Sequence, residues 1–242
     1  MAYALGLPLE ECYIKSTSRA QDLLYTYDAV KRLYDAQLGT QASQKREKTL
    51  DIHNYIHLGP LGRAIARAHL HERRSVVLID EVDKADLDFP NDLLLELDRL
   101  EFRIAEVRDM HYAVGDRPEL RPIVIVTHNE EKPLPDAFLR RCIFHYLSFP
   151  QKEEQLNRIL ALHDVTDKEL NEKAIAILLE LRSSDLNLTK KPGLSELLDW
   201  VGYLEARNVS VAALDNKELP YPGALLKQQS DLQRAREKFD IE

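Results

Sequence analysis

The sequence predicts an α/β domain with a buried parallel sheet, followed by a smaller all-helical domain. Two short runs of β-branched and aliphatic residues, at 75–82 and 121–129, are typical of strands that are covered on both faces. Helical patterns separate these runs, and beyond Pro150 no further run has the character of a core strand. We therefore predict an α/β domain over residues 1–150 and a helical domain over residues 151–242.

Local patterns predict the remaining elements of the first domain. Three segments carry apolar residues at helical spacing, and these are 22–38, 61–71 and 91–100. Two shorter segments are weaker strand candidates, at 12–17 and 142–149. Residues 102–120 can hold a β-hairpin, and the polar residues 39–49 have the composition of an insert between elements.

The second domain consists of helical patterns that are interrupted by proline and glycine. The predicted helices are 152–163, 167–183, 194–207 and 223–239. Proline and glycine at 192–193 and 220–223 separate the last three of them, since these residues end helices and form turns.

Composition excludes several classes of function. The formal net charge is −8, which gives no general attraction to nucleic acid or to an anionic membrane. No apolar run approaches the roughly 18 residues of a membrane span, and the first residues lack the features of a signal peptide. Cys12 and Cys142 are too far apart in sequence to form a CxxC pair, which favours two reduced thiols. We expect a cytoplasmic protein with no nucleic-acid partner and no membrane span.

Two adjacent carboxylates, Asp80 and Glu81, follow the first strand. Ligands of open α/β sheets bind at the carboxyl ends of the strands. The first carboxylate can hold Mg²⁺, because hard cations prefer oxygen ligands, and the second can activate the water that attacks a γ-phosphate. This is the Walker B arrangement. The alternative is an ordinary solvated turn after a strand.

The next strand and the residues beyond it add further candidates. Asn129 ends the second strand, so its amide would lie beside the two carboxylates if the strands are neighbours. Arg140 and Arg141 follow at a short distance in sequence. A guanidinium stays charged and bonds two phosphate oxygens at once, which suits contact with the ATP of a neighbouring subunit. The alternative for both arginines is a surface ion pair.

These motifs, in this order, resemble the AAA+ ATPases of the MoxR type. The resemblance rests on five segments, which are 58–63, 79–94, 96–102, 127–145 and 220–227. It covers nearly the whole chain. It implies a P-loop-type parallel sheet with a C-terminal helical lid, ATP and Mg²⁺ as cofactors, and homo-oligomeric rings that are usually hexamers. It also implies chaperone-like remodelling or activation of a client protein, whose identity the sequence does not give.

The resemblance also implies roles for individual residues. Asp80, as the Mg²⁺ ligand, and Glu81 match the Walker B pair, and Asn129 matches sensor 1. Arg141 best matches the arginine finger, with Arg140 as the near alternative. The family often carries a sensor 2 arginine at the start of the third lid helix; here either Lys191 replaces it as a cation or the sensor 2 function is absent.

The sequence departs from the family at the phosphate-binding loop. That loop needs Gly-x-x-x-x-Gly-Lys-Ser/Thr, and no Gly-Lys pair exists among the 242 residues. The opening residues resemble the end of the helix that follows the loop in the family, and we favour an N-terminal truncation because the other catalytic positions are present; the alternative is a natural protein that has lost the loop. We therefore expect the isolated chain to bind ATP poorly.

Two hypotheses follow, and a third is weaker. The first is an ATP-hydrolysing remodelling enzyme. The second is a non-hydrolysing assembly subunit that offers Arg141 to the ATP of a partner. A nuclease or phosphatase that uses Asp80, Glu81 and Asp83 would leave the other motifs unexplained. His53 and His57 could share a helix face as metal ligands, but no third ligand is obvious in the sequence.

Overall fold

The computed structural model describes residues 1–38, 51–163, 165, 167–183, 185–215 and 217–241. These residues form two compact units, Met1–Phe144 and His145–Glu242. We call them the first and the second unit. The sequence analysis placed the boundary slightly later, after residue 150. The predicted insert at 39–49 lies outside the described residues.

Short strands of the first unit form three sheets. In chain order they are β1 (Leu9–Tyr13), β2 (Tyr25–Tyr27), β3 (Ile56–Leu58), β4 (Val76–Asp80), β5 (Glu101–Arg103), β6 (His111–Ala113) and β7 (Ile123–Val126). The main sheet is parallel, in the order β1-β4-β7. Two antiparallel pairs, β2 with β3 and β5 with β6, complete the set. The α/β class and the parallel pairing of the two strongest predicted strands are confirmed.

Helices connect the strands of the main sheet. They are α1 (Ala2–Leu5), α2 (Ala29–Leu38), α3 (Pro60–His71), α4 (Phe89–Arg99) and α5 (Asp136–Leu139). Short 3-10 turns lie at Ala20–Leu23, Ile52–Tyr55, Val82–Lys84 and Pro118–Leu120. The helix α3 begins with a proline in its first turn, where a missing N–H costs nothing. Its alanine and leucine face packs on β1 and β4.

Two predictions for the first unit are wrong. The segment predicted as one helix at 22–38 contains the end of a 3-10 turn and the strand β2 before α2 begins at Ala29. Tyr25 is buried in the core and Thr26 is exposed, so the local alternation is that of a strand. The strand predicted at 142–149 is not formed, and within the described residues no neighbouring strand pairs with it. Its apolar residues Ile143 and Leu147 are exposed.

Glycine at position 62 permits close packing of α3. A Cβ atom at Gly62 would lie 1.8 Å from the carbonyl oxygen of Leu24, and one at Gly59 would lie 2.3 Å from that of Asp22. Neither position can hold a side chain without moving the backbone. The two glycines therefore fix α3 against the segment that leads into β2.

The second unit is helical. Its helices are α6 (Glu153–Leu162), α7 (Lys168–Leu181), α8 (Leu194–Ala206), α9 (Val211–Asp215) and α10 (Gln229–Ala235). They enclose a separate core around the fully buried Trp200, whose indole N–H donates to the carbonyl of Pro220. The helix predicted at 223–239 is shorter, because the 3-10 turn at Pro222–Ala224 and the buried pair Leu225 and Leu226 precede α10. None of the described helices has the length and apolar character that a membrane crossing requires.

Candidate functional site

The polar candidates gather where β4 and β7 end. The two strands run parallel, with Ile79 opposite Val126 in the register. The pairing continues past the strands, because the amide of Thr127 donates to the carbonyl of Ile79 and the amide of Val82 donates to the carbonyl of Thr127. The residues that follow each strand are therefore held side by side at the carboxyl edge of the sheet.

Thr127 joins both predicted carboxylate residues. Its hydroxyl donates to Oδ1 of Asp80 over 2.5 Å and accepts the backbone N–H of Glu81 over 2.8 Å. The sequence analysis did not assign a role to this residue. Its signal was present, since Thr127 is the first polar residue after the aliphatic run of β7.

Glu81 is held from two sides in an unusual backbone conformation. Its φ of 57° lies in the left-handed region, which is uncommon for residues other than glycine and is frequent at functional sites. The side chain of Asn129 donates to Oε1 over 3.4 Å, and Nζ of Lys84 lies 2.5 Å from Oε2. The hydrogen bond with Glu81 raises the pKa of Lys84. The structure thus brings Glu81 and Asn129 together, and it adds Lys84, which the sequence analysis did not single out.

Asp83 ties the turn after β4 to the loop after β7. Its side chain is 1% exposed, and its Oδ2 accepts the N–H groups of Asn129 at 3.1 Å and Glu131 at 2.9 Å. Burial opposes the charge, but these amides and its own N–H outweigh it and hold the pKa of Asp83 below its ordinary value. Nε2 of His128 lies 3.8 Å from Oδ2, while Oδ1 has no hydrogen-bond partner among the described residues.

A lysine makes a second connection between the same two segments. Nζ of Lys132 donates to the carbonyl of Ala85 over 2.7 Å, and it lies 3.4 Å from the carbonyl of Lys84. The ring of His128 is 2.9 Å from the carbonyl of Lys132. These contacts tie the loop after β7, at His128 and Lys132, to the turn after β4.

The two arginines lie away from these contacts, at the end of α5. Both are exposed. Arg141 donates to the carbonyl of Ala137 over 3.0 Å, and its Nε lies 3.6 Å from a carboxylate oxygen of Asp98, in a pair whose side chains are 51% and 60% exposed. Such a pair holds its arginine weakly, because water screens the charges.

Lys191 belongs to the second unit. It is exposed and follows two residues, Thr189 and Lys190, whose amides donate to the buried carboxylate of Asp231. The loop that carries Lys191 is therefore ordered at its start.

The side chains at the strand ends offer few ligands for a metal ion, so they could hold Mg²⁺ only at a site where most ligands are not protein groups. Across the described ranges, no group of three or more His, Cys, Asp or Glu residues could hold a metal ion. Mg²⁺ is usually bound through one or two carboxylates, with waters and substrate phosphates completing its shell, and Asp80 meets that requirement. The histidine pair considered from the sequence does not share a helix face, since His53 lies in a 3-10 turn and His57 in β3.

Comparison with known proteins leaves the chain without an assigned family. No family model matches the sequence, and no curated protein matches it significantly. What the fold and the site define is therefore an α/β protein with a parallel three-stranded sheet and a polar cluster at the carboxyl edge of that sheet.

Proposed function

We propose that this chain carries the Walker B edge of an AAA+ ATPase of the MoxR type, in which ATP hydrolysis drives remodelling or activation of a client protein. One observation carries the proposal. Asp80 and Glu81 end the central strand of a parallel sheet, and Asn129, which follows the next strand, donates to Glu81. The homo-oligomeric ring, the client and the cytoplasmic location stay predictions that rest on the sequence and its resemblance.

Within this proposal each residue at the edge has a task that its chemistry suits. Asp80 would hold Mg²⁺, and bound Mg²⁺ neutralises charge on the phosphates. Glu81 would orient the attacking water and accept its proton. Asn129 keeps the Glu81 carboxylate in place and has a second N–H for a phosphate oxygen or the water. Thr127 fixes the carboxylate of Asp80 and the backbone of Glu81 relative to each other.

The phosphate cradle does not come from these 242 residues. The sequence holds no Gly-x-x-x-x-Gly-Lys run, so ATP phosphates would need a binding loop from other polypeptide. The sheet has room for such a segment, since β7 is an outer strand and all four of its aliphatic residues are only partly buried. An unpaired edge of this kind accepts a further strand.

The proposal is tested by supplying that segment. The extended chain carries a β-strand, a Gly-x-x-x-x-Gly-Lys-Thr loop and a helix before Met1. We expect Mg²⁺-dependent ATP hydrolysis by the extended chain and not by the chain alone. Glu81→Gln in the extended chain should lower kcat by about a hundredfold or more while ATP still binds. Glu106→Gln, at an exposed position of the same unit, is the matched control.

Two results would contradict the proposal. One is an extended chain that folds, by circular dichroism, but neither binds nor hydrolyses ATP. The other is Glu81→Gln hydrolysing ATP at the rate of the Glu106→Gln control, because the carboxylate would then have no part in the chemistry.

A second candidate function is favoured by the exposure of Arg141. Its guanidinium bonds a carbonyl and a distant exposed carboxylate, so it is available to reach a neighbouring molecule. The chain would then act as an assembly subunit that offers this arginine to the ATP of a partner while binding no nucleotide itself.

This candidate makes a different prediction in a mixed complex. Arg141→Ala should lower the ATPase activity of an intact AAA+ partner only when the chain is bound to it. Arg140→Ala tests the neighbouring position, and Arg103→Ala, at an exposed site on β5, is the control. Equal activity with wild-type chain and Arg141→Ala in that complex would refute the assembly role.

A further inference from the structure

We propose that Asp83 is a positioning residue, which fixes the loop after β7 so that the amide side chain of Asn129 lies against Glu81. The inference that Asp83 affects catalysis rests on the proposed function. Its geometric content, that one buried carboxylate sets the place of Asn129, can be tested on the chain as it is.

The position of Asp83 in the sequence links it to the predicted base. Asp83 lies two residues after Glu81, in the 3-10 turn Val82–Lys84 that follows β4. The backbone that carries Glu81 therefore also carries the group that holds the opposite loop. A shift of this turn would move both sides of the Glu81–Asn129 contact together.

The loop after β7 depends on Asp83 because its own backbone is unfavourable. Glu130 has a φ of 61°, which a side chain disfavours. The residues on either side of it, Asn129 and Glu131, both donate their N–H groups to the same oxygen of Asp83. Bonds to a buried charge are stronger than those between neutral groups, so the carboxylate can stabilise this turn.

The link to Asn129 is direct. The same residue donates its backbone N–H to Asp83 over 3.1 Å and its side-chain N–H to Glu81 over 3.4 Å. Fixing the backbone of Asn129 therefore fixes the origin of its side chain. The contact with Glu81 is long for a hydrogen bond, and a small displacement of the loop would break it.

Stability alone would be a competing explanation, and the second unit offers a control for it. Asp231 is also fully buried and accepts two loop amides, but its loop carries none of the groups at the strand ends. A variant at Asp231 reports what a buried amide-binding aspartate does for folding, and it is the control for the exchange measurements, because its own loop carries the candidate residue Lys191. A positioning role at Asp83 predicts effects that Asp231 does not share.

Hydrogen exchange followed by NMR tests the geometry in the chain alone. In the wild type the amides of Asn129 and Glu131 should exchange at least about tenfold more slowly than that of Glu130 between them. Asp83→Asn should accelerate the first two by about tenfold or more and shift the side-chain amide signals of Asn129, whereas Asp231→Asn should leave them unchanged. Unprotected amides in the wild type overturn the inference, even if the variant fails to fold. Unchanged exchange in a folded Asp83→Asn also overturns it.

A double-mutant cycle in the extended chain tests the catalytic meaning. Asp83→Asn should lower kcat by about tenfold, because the side chain of Asn129 is then no longer held against Glu81. In the Asn129→Ala background the same substitution should change kcat by less than about twofold, because the group it positions is gone. An undiminished effect in that background would overturn the positioning role.

The two proposals fail in different ways. An extended chain without ATPase activity refutes the proposed function, and exchange at Asn129 and Glu131 then decides the geometric inference alone. An active extended chain whose kcat is unaffected by Asp83→Asn refutes the inference and leaves the function standing.

Discussion

Each unit of this protein contains a buried aspartate that accepts backbone amides, but the groups around the two carboxylates differ. In the second unit Asp231 accepts the amides of Thr189 and Lys190 on separate oxygens, and Arg234 lies 3.4 Å from one of them. In the first unit Asp83 accepts two amides on a single oxygen, and Nε2 of His128 lies 3.8 Å from that oxygen. Its second oxygen has no hydrogen-bond partner among the described residues.

This difference separates a structural anchor from a group at a candidate site. A buried carboxylate is most stable when amides and a cation satisfy both oxygens, as at Asp231. Asp83 gives up part of that stabilisation. In return it joins two strand ends whose polar side chains, Glu81 and Asn129, stay accessible. Locally incomplete satisfaction is common where structure serves chemistry.

The largest expected difference in stability is between alanine substitutions at two helix glycines, one in each unit. Gly62→Ala would place Cβ 1.8 Å from the backbone oxygen of Leu24, so we expect the first unit to lose at least about 3 kcal/mol of stability. Gly202→Ala in α8 meets nothing within 4 Å and should stabilise the second unit by about 1 kcal/mol. Amide exchange in β4 and the fluorescence of Trp200 report the two units separately. A stable Gly62→Ala first unit would show that α3 can move away from Leu24.

The next largest loss of stability is expected when the buried carboxylate of Asp231 is removed. Asp231→Ala removes a fully buried carboxylate that accepts two loop amides and lies 3.4 Å from Arg234, which should cost about 3 kcal/mol. Because Trp200 is the single tryptophan and is fully buried in this unit, its fluorescence in a urea titration measures the loss. Exchange at β4 in the first unit serves as the internal control. A loss below about 1 kcal/mol would mean that water replaces the carboxylate, contrary to its burial.

A smaller effect is expected at the threonine that links the carboxylates. Thr127→Val keeps the shape of the side chain but removes the acceptor of the Glu81 amide and the donor to Asp80, which should cost about 1–2 kcal/mol. Thr26→Val, at the exposed centre of β2, is the control and should change stability little. Urea denaturation followed by amide exchange in β4 measures both. Equal stabilities for the two variants would argue against a hydrogen-bonded Thr127.

Lowering the pH should reduce the stability that Asp83 and Asp231 contribute. Replacing Asp231 by asparagine should make the stability of the second unit less dependent on pH. The pKa of Asp231 is held below its ordinary value of 3.8, because the amides of Lys190 and Thr189 outweigh the effect of burial. A carboxyl with a lowered folded pKa contributes stability above its unfolded pKa and loses it as the pH falls through the folded value. The urea midpoint from Trp200 should therefore stay level down to about pH 5 and fall at lower pH, and it should fall less in Asp231→Asn. An identical fall in both proteins would assign the acid sensitivity to other groups.

The smallest effect belongs to the exposed arginine. Arg141→Ala breaks a pair at 3.6 Å between half-exposed side chains, so stability should change by less than about 0.5 kcal/mol. The same urea titrations measure it, with Arg140→Ala beside it. A larger loss would show that Arg141 has a structural role, and the trans-acting assembly hypothesis would lose its main observation.

Much of the first unit was predictable because its signals are local. The aliphatic runs of β4 and β7 end in polar residues, and that pattern predicts two parallel strands with a polar edge; that the two strands are neighbours, and that β7 is only partly buried, is decided by the fold. The proximity of Glu81 and Asn129 follows from it. The helix predicted at 22–38 was wrong because the tyrosine-rich stretch before Ala29 has no clear period, and its pairing with β3 decides the strand.

The sequence by itself determined which chemical groups stand at the strand ends, since a strand end is a local feature and its residue types are fixed by position. Only the tertiary structure decided how those groups are held. Contacts of Thr127 and Asp83 join the segments that follow two different strands. Lys84 contacts Glu81 within a turn, and no sequence pattern specifies the positive φ of Glu81. The contacts of Thr127 with Glu81 and of Asp83 with Asn129 join segments more than forty residues apart in sequence, and only the folded chain sets the distances between them.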